Sequence, residues 1–308
     1  MRAKSFYGLS LSGFHRVAYT EWGDLASKRA AICVHGLTRN GRDFDVLAAA
    51  LAKQGYYVVC PDMIGRGRSD WLSDPDGYAF PQYLVDMTAL IARVGATEVD
   101  WIGTSMGGMM GIIMAGHPNS PLRRLIVNDI GPYLTWTALR RIGEYIHDDP
   151  DFPDLATAEL YFRDVFAPFG KLTDRQWRHL TKHSTRYCED TKFYKQHHDI
   201  RIGQAFRTGM VYNLNLWGYW DRICCPTMVL RGVESDMLPP EMAEEMSQRG
   251  PKAKLVEIPE CGHAPALMDD AQISLIINWL QTKLKRRRQP RDGGAQEIPI
   301  TGGAERHA

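Results

Sequence analysis

An α/β fold built on a mostly parallel sheet is what this 308-residue sequence predicts, and three observations carry the prediction. Short apolar runs alternate with helix-periodic segments through about the first 130 residues. Those runs lack internal polar alternation, as expected of strands covered on both faces. The alternation breaks after Pro132 and resumes near Thr227.

The elements follow in order. Phe6 to Trp22, interrupted at Ser12-Gly13, reads as an antiparallel hairpin at the sheet edge. Ala30 to Val34 is a strand. In Phe44 to Gln54, Phe44, Val46-Leu47 and Ala50-Leu51 recur at helical spacing. The strand Tyr56 to Cys60 precedes a helix over Pro81 to Val94, and Glu98 to Ile102 precedes Met106 to Ala115. Leu125 to Val127 adds a further strand.

From Tyr133 to Trp220 the chain reads as helical, rich in aromatics and charges, with no strand. Then come a strand at Thr227 to Arg231, a helix at Pro240 to Gln248, a strand at Lys254 to Ile258 and a last helix at Ala271 to Leu284. A helical excursion between two halves of one alternation is an inserted cap. The expected organisation is a core of residues 1–132 and 221–286, a helical cap of 133–220, and a disordered tail of 287–308. The basic cluster Lys285 to Arg288 leads into that Gly- and Pro-containing tail.

Composition excludes several classes. A net charge of +1 gives no electrostatic case for nucleic acid. No apolar run is long enough for a membrane span, and Met1 to Ser10 does not read as a secretory signal. The six cysteines are scattered. Cys33 and Cys60 fall in apolar runs, and the adjacent Cys224-Cys225 suits neither a zinc pair nor an ordinary disulfide, so a cytoplasmic protein with reduced thiols is expected. A homodimer is compatible with the sequence.

The chemistry centres on Gly103-Thr104-Ser105-Met106-Gly107, a Gly-x-Ser-x-Gly pattern where a strand turns into a helix. Such a turn thrusts the serine hydroxyl out of the sheet end, and the glycines relieve backbone crowding. A serine hydroxyl needs a base, a carboxylate to orient the base, and donors for the oxyanion it creates. His263, flanked by Gly262 and Ala264 just after the last strand, is the candidate base. Asp236, in the loop after Thr227 to Arg231, is the candidate acid. Asp129, at the end of the preceding strand, is the alternative. The oxyanion donors are expected to be the N–H groups of Met106 and of Leu37, in the loop after Val34. Gly36 lets that loop pass close to the substrate, and His35 is read as a residue that fixes it.

Arg39 and Asn40 beside the loop, and Tyr133, Trp136 and Trp217 near the cap hinges, are candidate substrate contacts. No metal or organic cofactor is required, and His197-His198 lacks the i, i+4 spacing of a helical zinc pair. Arg66 and Arg68, between Gly65 and Ser69, are not a phosphate cradle, because no Lys-Ser/Thr follows.

Taken with Val34-His35-Gly36, Pro61 to Ser69, Arg231 to Asp236 and Gly262-His263, these motifs resemble the α/β-hydrolase superfamily, within its capped esterase, lactonase and C–C hydrolase branch. The resemblance spans about residues 15 to 285. It implies an eight-stranded sheet with helices on both faces. A serine at position 105 argues against the relatives that use a carboxylate nucleophile. The expected activity is hydrolysis of a small, partly apolar ester, lactone or thioester through an acyl-enzyme. C–C hydrolysis of a vinylogous diketone, acyl transfer, and a non-catalytic ligand receptor on the same scaffold are the alternatives.

Overall fold

A computed structural model describes residues 1–146, 148–204 and 213–283. The expected tail, 287–308, lies outside the described residues. Eight strands form one sheet: β1 (Arg2–Ser10), β2 (Gly13–Trp22), β3 (Ala30–Val34), β4 (Tyr57–Pro61), β5 (Val99–Thr104), β6 (Leu122–Asn128), β7 (Thr227–Gly232) and β8 (Lys254–Ile258). Their spatial order is β1-β2-β4-β3-β5-β6-β7-β8. The pairs from β4 through β8 are parallel, while β2 runs antiparallel to both β1 and β4. The chain therefore reverses direction on either side of β3, and β5 lies near the middle of the sheet.

The all-apolar strands are buried on both faces, as their composition requires. On one face pack α2 (Phe80–Val94), α3 (Met106–Ala115) and, near the far edge, α7 (Pro240–Gln248). On the other pack α1 (Asp45–Lys53) and α8 (Asp270–Leu280). Helix α3 is apolar almost all round, because the sheet lies beneath it and other helices cover it.

Strand β6 begins three residues before the apolar run suggests, at Leu122. The charged pair inside it is accommodated: Arg123 Nε donates to the buried Asp100 carboxylate at 2.8 Å, and Arg124 Nη2 donates to the Thr282 carbonyl. Helix α8 ends at Leu280 rather than Leu284.

The segment between β6 and β7 is not purely helical. It holds α4 (Trp136–Tyr145), α5 (Leu155–Val165) and α6 (Asp174–Ser184). It also holds two antiparallel ribbons, Thr185–Cys188 with Phe193–Gln196 and Tyr133–Leu134 with Leu214–Asn215. Strands this short carry too few alternations to be seen in sequence. The insertion is tied to the core through loops. Gly67 N–H donates to the His197 carbonyl at 2.9 Å, Asp199 N–H to the Gly65 carbonyl at 2.7 Å, and Gly262 N–H to the Pro168 carbonyl at 2.8 Å.

Contact between α3 and the sheet depends on Gly111. A methyl group there would come within 2.6 Å of both Leu125 Cδ1 and Trp101 Nε1, whereas one on Gly218 would meet nothing within 4 Å. Gly111→Ala is expected to destabilise the fold by about 1–3 kcal/mol through overpacking, while Gly218→Ala stays within about 1 kcal/mol of wild type. Urea denaturation of the two variants checks this, and equal midpoints would contradict it.

Candidate functional site

Ser105 occupies the corner between β5 and α3 at φ 51°, ψ −114°, a conformation rare for a residue with a side chain. Close backbone approach imposes that corner. A Cβ on Gly107 would lie 2.1 Å from the Val34 carbonyl oxygen, and one on Gly103 would lie 2.2 Å from the Gly107 carbonyl oxygen. The buried Trp101 indole donates to that same Gly107 carbonyl at 2.9 Å, and Ser105 N–H donates to the Asn128 carbonyl at 2.9 Å. The hydroxyl is thereby held above the end of the sheet.

His263 lies in the loop after β8, and its Nε2 is 3.0 Å from Ser105 Oγ. Its Nδ1 lies 2.8 Å from Oδ2 of Asp129. The expected acid, Asp236, is therefore corrected to Asp129. Asp129 follows β6 directly, at φ 57°, and is fully buried. Four donors converge on its carboxylate. Gly232 N–H reaches Oδ1 at 2.8 Å, while Ser235 Oγ at 2.6 Å, the Ala264 N–H at 3.1 Å and the imidazole all meet Oδ2. In the loop after β7 it is Ser235 that turns inward to this carboxylate, while Asp236 points to an exposed position on the cavity wall. The clue in the sequence was a lone carboxylate interrupting the apolar stretch from Leu125 to Ile130.

Asn128 and Ser235 drew no attention as sequence, yet both brace the site. Asn128 Nδ2 donates to Thr104 Oγ1 at 3.0 Å and to the Pro265 carbonyl at 2.9 Å, joining the serine strand to the histidine loop.

The loop after β3 is fixed from behind. Met63 N–H donates to His35 Nε2 at 2.9 Å, so the His35 proton sits on Nδ1 and is donated to the Gly36 carbonyl at 2.6 Å. In a trans peptide the Leu37 N–H points opposite to the Gly36 carbonyl. No backbone acceptor takes it among the described residues. Met106 is the first residue of α3, where the N–H has no partner within the helix. Leu37 and Met106 both line the cavity that contains Ser105 and His263. Burial holds His35 neutral, with its pKa lowered to about 3.

That cavity measures about 710 Å³. Its apolar wall comes from the insertion at Phe166, Phe169 and Leu180, and from the core at Phe80 and Met109. Of the candidate substrate contacts, Gly36 and Arg39 line it, whereas Asn40, Tyr133, Trp136 and Trp217 do not. Asn40 caps the turn at Gly41–Phe44 and donates to the His183 carbonyl at 2.8 Å. Tyr133 is engaged in the ribbon with Asn215, Trp136 is at the exposed start of α4, and Trp217 packs on Trp220 and beneath Arg249.

Arg39 is not a free cation. Its guanidinium grips Asp43 at 2.8 and 2.7 Å, donates to Ser184 Oγ at 2.8 Å and stacks 4.3 Å from the Phe166 ring centroid.

Asp45, His179 and His183 form a group with metal-ligand spacing that bridges α1 and α6. Sequence inspection did not join residues so far apart. The Asp45 carboxylate is already clasped by Arg42, whose Nε lies 2.9 and 2.8 Å from its two oxygens.

Chemically, the arrangement can activate a hydroxyl by proton transfer to an oriented imidazole, beside two amide donors and under an apolar roof.

Residues 31–274 match the model of the alpha/beta hydrolase family. The chain is 43% identical over 274 residues to a 3-hydroxybutyrate-oligomer hydrolase of Cupriavidus necator, covering 87% of this chain and 93% of that protein. The solved structure of an alpha/beta hydrolase from Novosphingobium aromaticivorans is 31% identical, with a TM-score of 0.79 over 90% of this chain and 98% of the other. A thioesterase domain from the curacin biosynthetic pathway, at 23% identity and TM-score 0.71, shares the fold over 91% of this chain and 100% of its own.

Two outcomes follow from the geometry. Asp129→Asn is expected to lower kcat by about 10³- to 10⁴-fold, as loss of an imidazole-orienting carboxylate does, while Asp236→Asn stays within about tenfold. Steady-state kinetics of the two variants decide it, and the reverse order would restore Asp236.

The second outcome concerns pH. His35 and His198 both have pKa values pushed down to about 3, chiefly by burial. In the unfolded chain each titrates near 6.5, so the unfolded state binds more protons below that pH. Stability is thus complete above about pH 6.5 and falls as pH drops, by up to about 1.4 kcal/mol per pH unit for each histidine. Urea midpoints at pH 7.5 and 5.5, above the carboxylate range, should differ; coincident midpoints would contradict this.

Proposed function

The chain belongs to the alpha/beta hydrolase family, and on that footing we propose that it is a serine hydrolase cleaving a carboxylic ester of a small, partly apolar substrate. The observation that carries the reading is the continuous relay from Ser105 Oγ through His263 to the buried Asp129 carboxylate, at 3.0 and 2.8 Å.

In the first half-reaction Ser105 Oγ attacks the ester carbonyl carbon and its proton passes to His263 Nε2. Asp129 accepts from Nδ1–H and stabilises the imidazolium. The carbonyl electron pair moves onto oxygen, where the Leu37 and Met106 N–H groups receive it as an oxyanion hole. Collapse breaks the bond to the alkoxide, which takes the proton from Nε2 and leaves as alcohol. Water then attacks the acyl-enzyme, giving its proton to His263. The second collapse releases the acid and returns the proton to Ser105.

The described residues between 133 and 220 serve as a cap over a core of 1–132 and 221–283. The cap supplies the aromatic and aliphatic roof that selects an apolar acyl group. A short oligoester of a 3-hydroxy acid is the substrate class we favour. The 43% identity to the hydrolase of 3-hydroxybutyrate oligomers supports it, as does a cavity of about 710 Å³ large enough for more than one such unit.

Ser105→Ala is expected to remain folded and to lose several powers of ten in rate, and wild type should react with a fluorophosphonate at Ser105. Hydrolysis of 3-hydroxybutyrate dimer and trimer should exceed that of a vinylogous diketone or a lactone. A substantially active Ser105→Ala enzyme would refute the nucleophile, and a diketone preference would refute the substrate class.

A further inference from the structure

Arg66 is fully buried, directly behind the loop that carries Leu37. Its Nε donates to the Leu37 carbonyl at 2.8 Å, and Nη1 donates to the Ile64 carbonyl at 2.7 Å and the Tyr83 hydroxyl at 2.8 Å. Among the described residues Nη2 has only the Met106 sulfur, at 3.9 Å. The guanidinium carbon also lies 5.1 Å from the centroid of the Tyr83 ring. Every one of these partners is neutral, and no carboxylate lies within ion-pair distance among the described residues. Arg39 and Arg231 are nearly as buried, and each holds a carboxylate, Asp43 and Glu257. An arginine keeps its charge at any working pH, and burying it without a counter-ion is costly.

The two residues it touches at the site are the two whose N–H groups serve the proposed oxyanion hole. We propose that Arg66 is a positioning residue for acyl transfer: it fixes the Leu37 peptide and sets a standing positive charge behind Leu37 and Met106 that the developing oxyanion answers. The inference rests on the acyl-enzyme reading above.

A neutral ester carbonyl leaves the cation unanswered, whereas the tetrahedral intermediate brings a negative charge to the far side of the same two residues. The benefit therefore falls on the transition state and reads out in kcat rather than KM. The surroundings make the charge felt. The cavity wall is largely apolar, so screening is weak, and the neighbouring Arg39 is paired with Asp43. The same cation lies near the buried His35 and His198, whose pKa values are lowered first by burial and further by Arg66 and Arg39 together.

The test uses the full chain as Arg66→Gln and Arg66→Lys, with p-nitrophenyl butyrate as substrate and butylboronic acid as an inhibitor that forms an anionic tetrahedral adduct on Ser105. Thermal unfolding is measured in parallel. Arg66→Gln is expected to lose on the order of 10- to 100-fold in kcat, less than removal of a direct donor costs, and a similar factor in boronate affinity. KM should move by less than about threefold, and Arg66→Lys should recover most of the loss by restoring the charge. A folded Arg66→Gln enzyme with kcat near wild type, a loss confined to KM, or a lysine variant as impaired as the glutamine one would overturn the proposal.

Should Arg66→Gln fail to fold, Arg66→Lys decides alone. A kcat within about fivefold of wild type supports the role, and a larger loss at an unchanged unfolding midpoint overturns it. Fluorophosphonate labelling of wild-type Ser105 separates the two readings. If the serine labels and Arg66→Gln is fully active, only this inference falls; if the serine does not label, the acyl-enzyme reading falls first.

Discussion

The site depends on one backbone conformation, the left-handed turn at Ser105. A residue with a side chain held there costs on the order of 1–3 kcal/mol, and the surrounding structure has to impose it. Three neighbours do so. The Asn128 carbonyl takes the Ser105 N–H, the Trp101 indole pins the Gly107 carbonyl, and α3 presses so near β3 that only glycine fits at position 107. Because β5 lies between β3 and β6, the same turn places the hydroxyl between the Leu37 loop on one side and Asp129 on the other. The serine hydroxyl, the buried carboxylate and the two amide N–H groups thus come from three neighbouring strands.

That adjacency also explains which parts were legible in the sequence. Ser105, His263 and the Leu37 loop announce themselves through small residues at fixed offsets from apolar runs, a local signal. The acid does not. Both Asp129 and Asp236 follow strands, and the lone carboxylate in the apolar stretch marks Asp129 as buried without saying which of the two reaches the imidazole. The deciding facts are tertiary. Gly232 N–H, Ser235 and Ala264 N–H all converge on Asp129, building around it the shell of donors that a buried carboxylate requires. Asp236, one residue beyond Ser235, remains on the exposed side of the same turn.

The cavity lining was hidden for a related reason. Tyr133, Trp136 and Trp217 are conspicuous near the hinges, yet they are spent on ribbon pairing, solvent exposure and packing against Trp220. The roof comes instead from the middle of the insertion. Phe162, Phe166 and Phe169 stack in series, with centroids 5.4 and 4.9 Å apart, and the Arg39 guanidinium lies against Phe166. The i, i+4, i+7 spacing already sets those rings on one face of a helix, but only the fold shows that Phe166 and Phe169 line the cavity above Ser105. The short ribbons escaped notice for want of length.

A tally of charge around the reacting atoms shows how the roles divide. Asp129 keeps its negative charge among neutral donors at the far side of the imidazole, while Arg39 is paired with Asp43. His35 is kept neutral by burial, which leaves its Nδ1–H a dipole that orients the Gly36 carbonyl. Behind the two amide donors, the positive charge without a carboxylate partner among the described residues is that of Arg66, reached through the Leu37 carbonyl and the Met106 sulfur. Sequence inspection sets this arginine aside as no phosphate cradle, and in the structure it sits in a tight turn between Gly65 and Gly67, both at positive φ. Yet a turn needs no buried guanidinium, and the three neutral oxygens that receive it could be satisfied by a neutral donor at lower desolvation cost. What distinguishes arginine at this position is its charge, and a charge so placed has its natural complement in an oxyanion formed across the cavity wall.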